Sequence, residues 1–161
     1  MERDENNHPL NSDCKKNAFF KYYFTYDANQ FSENLLTNVD GLADKCANFW
    51  NVIAKYFKNE PNILGYELLN EPWGVSLWNE PLDFVWPGIN NDKYLLPFYR
   101  ILNKKIREVD DETIVFYEPY VSDLLNGGYK ENVGGINYRD REVFSYHVYC
   151  PTVDSSGTPT Y

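Results

Sequence analysis

Apolar positions along the chain fall into two helical stripes and three short runs. Leu42, Cys46, Phe49, Trp50, Ile53 and Phe57 recur at spacings of three and four, which predicts an amphipathic helix from about Asp40 to Lys58. Asn59, Glu60 and Pro61 stop it. Ile63 to Leu69 then reads as a buried strand, bounded by Pro61 and by Asn70-Glu71-Pro72. Leu95, Phe98, Leu102, Ile106 and Val109 predict a second helix over about Tyr94 to Val109. Ile114 to Tyr117 is a second strand, closed by Glu118-Pro119, and Val143 to Val148 a third. Upstream, "AFFKYYFTY" (Ala18 to Tyr26) fits either a strand or a packed loop. Asp110, Asp111 and Glu112 read as a solvated helix end.

Strands separated by helical crossovers lie parallel in one sheet. The expected fold class is therefore α/β. In such sheets ligands sit at the carboxyl ends of the strands. Glu71, Glu118 and His147 each fall at such an end, so three ionisable groups are expected on one face. The connection over 74–92 is long, carries Trp78 and Trp86, and is the kind of loop that usually has a function.

Composition narrows the classes. The chain has 161 residues and a formal net charge of −9, which disfavours nucleic-acid partners, whose phosphates need clustered Lys and Arg. No stretch approaches the ~20 apolar residues of a membrane span. No apolar leader run is visible near the start, so no signal peptide is expected in this sequence. The three cysteines, Cys14, Cys46 and Cys150, match no zinc spacing, and neither a metal nor another cofactor is expected. Aromatic residues make up 17%, with 14 Tyr, which suits both a Tyr-rich core and flat faces for sugar stacking.

A carboxylate beside an apolar strand and aromatic neighbours loses hydration, which raises its pKa and suits it to donate a proton. Glu71 is placed that way, and Asn70 beside it can bond a substrate hydroxyl. Glycoside cleavage needs two carboxyl groups, one to protonate the leaving oxygen and one to act as nucleophile or base. On the residues alone, Glu71 pairs with Glu118.

Three segments, "GYELLNEPWG", "VFYEPY" and "FSYHVYC", together resemble glycoside hydrolase family 5, in its endoglycoceramidase and glycosylceramidase branch. The resemblance implies a (β/α)₈ barrel, of which this chain spans roughly strands 4 to 6 with their helices. Residues 24–161 would form that partial barrel, and 1–23 a poorly ordered or packed N-terminal segment. It further implies that Glu71 is the acid/base and that Asn70 binds the substrate 2-hydroxyl. His147 and Tyr149 would flank the reaction centre, and Glu118 would be a supporting or substrate contact rather than the nucleophile. Trp73, with Trp78 and Trp86, would either line a sugar or lipid cleft or seal the long loop. The implied reaction is retaining hydrolysis of the β-glycosidic bond between sugar and ceramide, in a secreted or lysosomal setting. The nucleophile strand is expected to be missing, leaving the piece inactive alone and prone to self-association through its sheet edges. Two alternatives stay open: a catalytically dead glycan- or glycolipid-binding remnant, and a family-5 β-glucanase.

Overall fold

The computed structural model describes residues 3–8, 10, 12, 19–86, 88–121 and 128–147. At its centre is a parallel sheet of β1 (Gly65–Glu67), β2 (Ile114–Tyr117) and β3 (Glu142–Phe144), in that spatial order. Tyr66 pairs with Val115, and Val115 in turn with Glu142. Helix α1 (Tyr26–Leu36) and helix α2 (Leu42–Phe57) precede β1. The short α3 (Pro81–Val85) and the longer α4 (Leu96–Arg107) carry the chain from β1 to β2, the crossover that parallel pairing demands. No helix among the described residues is long and apolar enough to cross a membrane.

Both helical stripes form, with edits at their ends. The second is split: Asn90–Leu95 makes a wider π-helical turn before α4 begins, with Pro97 in its first turn. Proline has no N–H, and its ring crowds the carbonyl four residues back, so a wider turn absorbs the mismatch. The first and third apolar runs shrink to three-residue strands. Ser145 nonetheless still donates its N–H to Tyr117 O at 3.0 Å, so the chain keeps the strand's direction towards His147. The aromatic run at 18–26 is neither strand nor loop. It makes a 3-10 turn, Phe19–Phe24, and leads into α1, where the Thr25 side chain caps Ala28 N.

The core lies between the sheet and the helices. Ala43, Ala47 and Ala54 of α2 are fully buried, as are Phe98, Tyr99, Leu102 and Ile106 of α4. Small residues on one helix admit large ones on the other, and each large apolar side chain removed from water contributes about 1.5–3 kcal/mol. Tyr66 and Val115 occupy equivalent positions on neighbouring strands and point into this core. Side-chain alternation then puts Glu67, Phe116 and Val143 on the opposite face.

Asp110 departs from the expected solvated helix end. It is 4% exposed, and its carboxylate accepts the Tyr66 hydroxyl at 2.8 Å and the N–H groups of Glu112 and Thr113. Asp111 and Glu112 are exposed as expected. The difference is positional: Asp110 closes the turn between α4 and β2, where two backbone donors need a buried acceptor. Burial alone would disfavour its charge, but these bonds outweigh that and hold its pKa below the usual carboxylate value. Burial, reinforced by Asp110, pushes the Tyr66 phenol up to about 12. Nearby, Arg107 donates to the carbonyls of Asp110, Thr113 and Arg141, fastening the starts of β2 and β3 to the end of α4.

Candidate active site

The face left free by the helices gathers ionisable side chains. Counting by twos from Phe116 and Val143 leads to Glu118 and His147, so strand parity delivers these two to the Glu67 side of the sheet, and the turn after β1 brings Glu71 to meet them. The side chains meet there. His147 Nδ1 lies 2.7 Å from Glu71 Oε1, and His147 Nε2 lies 3.2 Å from Glu118 Oε1. Glu118 Oε2 accepts the peptide N–H of Glu71 at 2.8 Å. The ring of His147 therefore bridges two carboxylates that come from different strand ends.

Glu71 has a backbone φ of +44°. This is the left-handed region, which a residue with a Cβ enters at a cost of about 1–2 kcal/mol. Pro72 follows and narrows the options further by disfavouring ordinary helical geometry at the preceding residue. The turn redirects the chain so that the Glu71 side chain faces His147 while its N–H faces Glu118.

The carboxylates differ in environment. The Glu71 side chain is 31% exposed, whereas that of Glu118 is 2% exposed. The dehydration expected at Glu71 falls mainly on Glu118. Burial first, and then a hydrogen bond with Glu67, push the Glu118 pKa up, while the Glu71 N–H and His147 pull it back. Hydrogen bonding to Glu71 raises the His147 pKa, helped by the charges of Glu118, Glu71 and Glu67. Glu67, on β1, has no place in the reading of the sequence. Its signal was a lone charge inside an apolar strand.

Asn70 is exposed on the same turn, immediately before Glu71. Trp73 is half-buried and packs against Tyr23 and Phe24 at centroid distances of 5.2 Å, and against Phe84 and Tyr120. Its indole N–H donates to Asn29 Oδ1. Asn29, wholly buried, also accepts the Leu77 N–H and so ties the long loop to α1. Trp78 and Trp86 are exposed. Tyr149 lies outside the described residues.

A carboxylate oxygen each from Glu67 and Glu118 and a ring nitrogen of His147 lie within 4.8 Å of one another. Both nitrogens of His147 already face carboxylates, and an imidazole so placed can carry a proton between them. What the arrangement can do is hold a partly exposed carboxyl group in a fixed direction, with a proton-bearing imidazole against it and a buried carboxylate behind.

The chain is 42% identical to an endoglycoceramidase of Hydra vulgaris and 38% identical to one of Cyanea nozakii, over 144 residues that make 89% of this chain and 28% of each relative. It thus spans little more than a quarter of those relatives. Among solved structures it superposes on a lactosyl-enzyme intermediate of endo-glycoceramidase II from Rhodococcus sp. with a TM-score of 0.67 at 19% identity, covering 88% of this chain and 31% of that one. The three-stranded sheet is in this way a partial match to a family-5 barrel. The family model for cellulase, glycosyl hydrolase family 5, matches residues 6–160, and the chain belongs to that family.

Proposed function

We propose that this chain is the part of an endoglycoceramidase-type glycosidase that supplies the proton donor, in an enzyme that cleaves the β-glycosidic bond between sugar and ceramide with retention. The observation that carries this reading is the 2.7 Å contact between Glu71 and His147 at the carboxyl ends of β1 and β3. In the first step Glu71 protonates the departing ceramide oxygen while the nucleophile forms a glycosyl-enzyme. In the second it takes a proton from the incoming water. The relative trapped as a lactosyl-enzyme intermediate supports the two-step course. Glu118, 2% exposed, has no access to an anomeric carbon and is not the nucleophile. That role belongs to a carboxylate on a later strand of the complete barrel.

In the same reading Asn70 bonds the substrate 2-hydroxyl, His147 and Tyr149 flank the reaction centre, and Trp73 walls the cleft from within its aromatic cluster. A glycosphingolipid is the substrate, and a secreted or lysosomal location follows from it.

The test is Glu71→Gln in the protein that carries this chain. Release of ceramide from a fluorescent glycosphingolipid should fall by about 10²–10⁴-fold. Cleavage of an aryl glycoside whose leaving group needs no proton should fall far less. Equal losses on both substrates would remove Glu71 from the acid role. Hydrolysis of soluble β-glucan in preference to glycosphingolipid would overturn the substrate.

A further inference from the structure

The site holds two carboxylates, Glu67 and Glu118, that the proposed reaction does not use. Oε1 of Glu118 is buried and receives no hydrogen bond among the described residues, although His147 Nε2 lies 3.2 Å from it and a carboxylate oxygen of Glu67 lies within 4.8 Å of one of Glu118. Two carboxylates facing each other are two acceptors and repel. They become a hydrogen-bonded pair only when a proton lies between them.

We propose that Glu67 and Glu118 share one proton at neutral pH and, as a single monoanionic unit, act as positioning residues that hold the Glu71–His147 pair in its working geometry. This rests on the reading of Glu71 as the proton donor. The unit does two jobs. Through Glu118 Oε2 it anchors the Glu71 N–H at 2.8 Å, which stabilises the left-handed turn. Through Glu118 Oε1 it places one negative charge 3.2 Å from His147 Nε2, which keeps the imidazole protonated and turned to Glu71. A second full charge beside the buried Glu118 would add repulsion, and none would release the ring. Among the described residues, the charged groups that face the unit are Glu71 and His147. Tyr99 of α4 and Tyr129 donate to the peptide carbonyl of Glu118, and Tyr99 feels the charges of both carboxylates. The upward direction of the Glu118 pKa, from burial and then Glu67, agrees with a held proton.

The chain has two histidines, so ¹³C- or ¹⁵N-labelled imidazoles can be followed by NMR as pH is varied, with His8, beside Asp4, as the internal reference. In the unsubstituted chain the His147 midpoint should lie above the ordinary value of ~6.5. In Glu67→Gln the remaining Glu118 ionises and takes up the single charge, so the midpoint should move by less than about 0.3 pH unit; the same holds for Glu118→Gln. The double variant loses the charge, and its midpoint should drop by about one pH unit. A drop of about half the double effect in each single variant would mean two independently ionised carboxylates and would overturn the proposal. Glu67 is exposed, so its substitution leaves the core intact, and a His147 midpoint lowered by about half a pH unit in Glu67→Gln overturns the proposal even if the Glu118 variants do not fold. Infrared spectroscopy gives a second readout: a protonated-carboxyl band at pH 7 that disappears in Glu67→Gln, whereas its persistence would count against the shared proton. Hydrolysis enters neither measurement, so failure here leaves the acid role of Glu71 standing, and failure of that role leaves these outcomes unchanged.

Discussion

Replacing Glu71 by alanine and by glycine separates what the residue does for the reaction from what its backbone costs the fold. Both variants lose the carboxylate and its contact with His147 equally, so that loss cancels in the comparison. At an ordinary position the glycine variant is the less stable by roughly 0.5–1 kcal/mol, because glycine loses more freedom on folding. At φ +44° alanine carries the left-handed cost of about 1–2 kcal/mol, and glycine does not. The balance reverses: Glu71→Gly should be more stable than Glu71→Ala by about 0.5–1 kcal/mol. With a urea dependence near ~2 kcal/mol per molar, the unfolding midpoints should differ by roughly 0.3–0.5 M. Equilibrium urea unfolding followed by the fluorescence of the 4 tryptophans resolves such a gap. An alanine variant as stable as the glycine variant, or more so, would show that Glu71 pays no backbone penalty, and the account of the turn would fail.

Two further outcomes follow from the packing. Asp110→Ala removes a buried acceptor from three donors and should cost about 2–3 kcal/mol at pH 7. Because the folded-state pKa of Asp110 is depressed, its contribution is present above its unfolded value of ~3.9 and is lost as pH falls through the folded one. The gap between variant and parent should therefore close in acid, as chemical unfolding at a series of pH values will show. Gly65→Ala puts a methyl group 2.5 Å from the Phe116 ring and from Ile114 O. Such overpacking between β1 and β2 should cost about 1–3 kcal/mol, read as a melting temperature lower by about 2–4 °C for each kcal/mol.

The parts of this molecule that could be read from its sequence are those governed by one-dimensional pattern. The stripe on α2 and the run that becomes β2 announce themselves by period and by apolar content, and Glu71, Glu118 and His147 by position after such runs. Helix α1 did not, because its eleven residues, YDANQFSENLL, are largely polar. What stabilises it is the buried Asn29, whose partners Trp73 and Leu77 lie more than forty residues away. Asp110 was unreadable for a related reason. An acid in a run of acids looks solvated until the Tyr66 hydroxyl arrives from another strand. Glu67 was passed over because its meaning depends on the register between β1 and β2, which no single segment contains. Trp73 reads equally as a sugar face or a packing residue, and its aromatic neighbours are what only the fold supplies.

The tip of β2 has an unusual mooring. Tyr99 from α4 donates to the Glu118 carbonyl at 3.1 Å, and Tyr129 does so at 2.7 Å, so one oxygen is held by two neighbouring phenols whose ring centroids lie 6.5 Å apart. Neither tether belongs to the sheet ladder. The junction between strand and loop is thereby fastened to α4 as well as to the sheet, so the carboxylate of Glu118 projects from a backbone anchored independently of the side chains that meet on the open face.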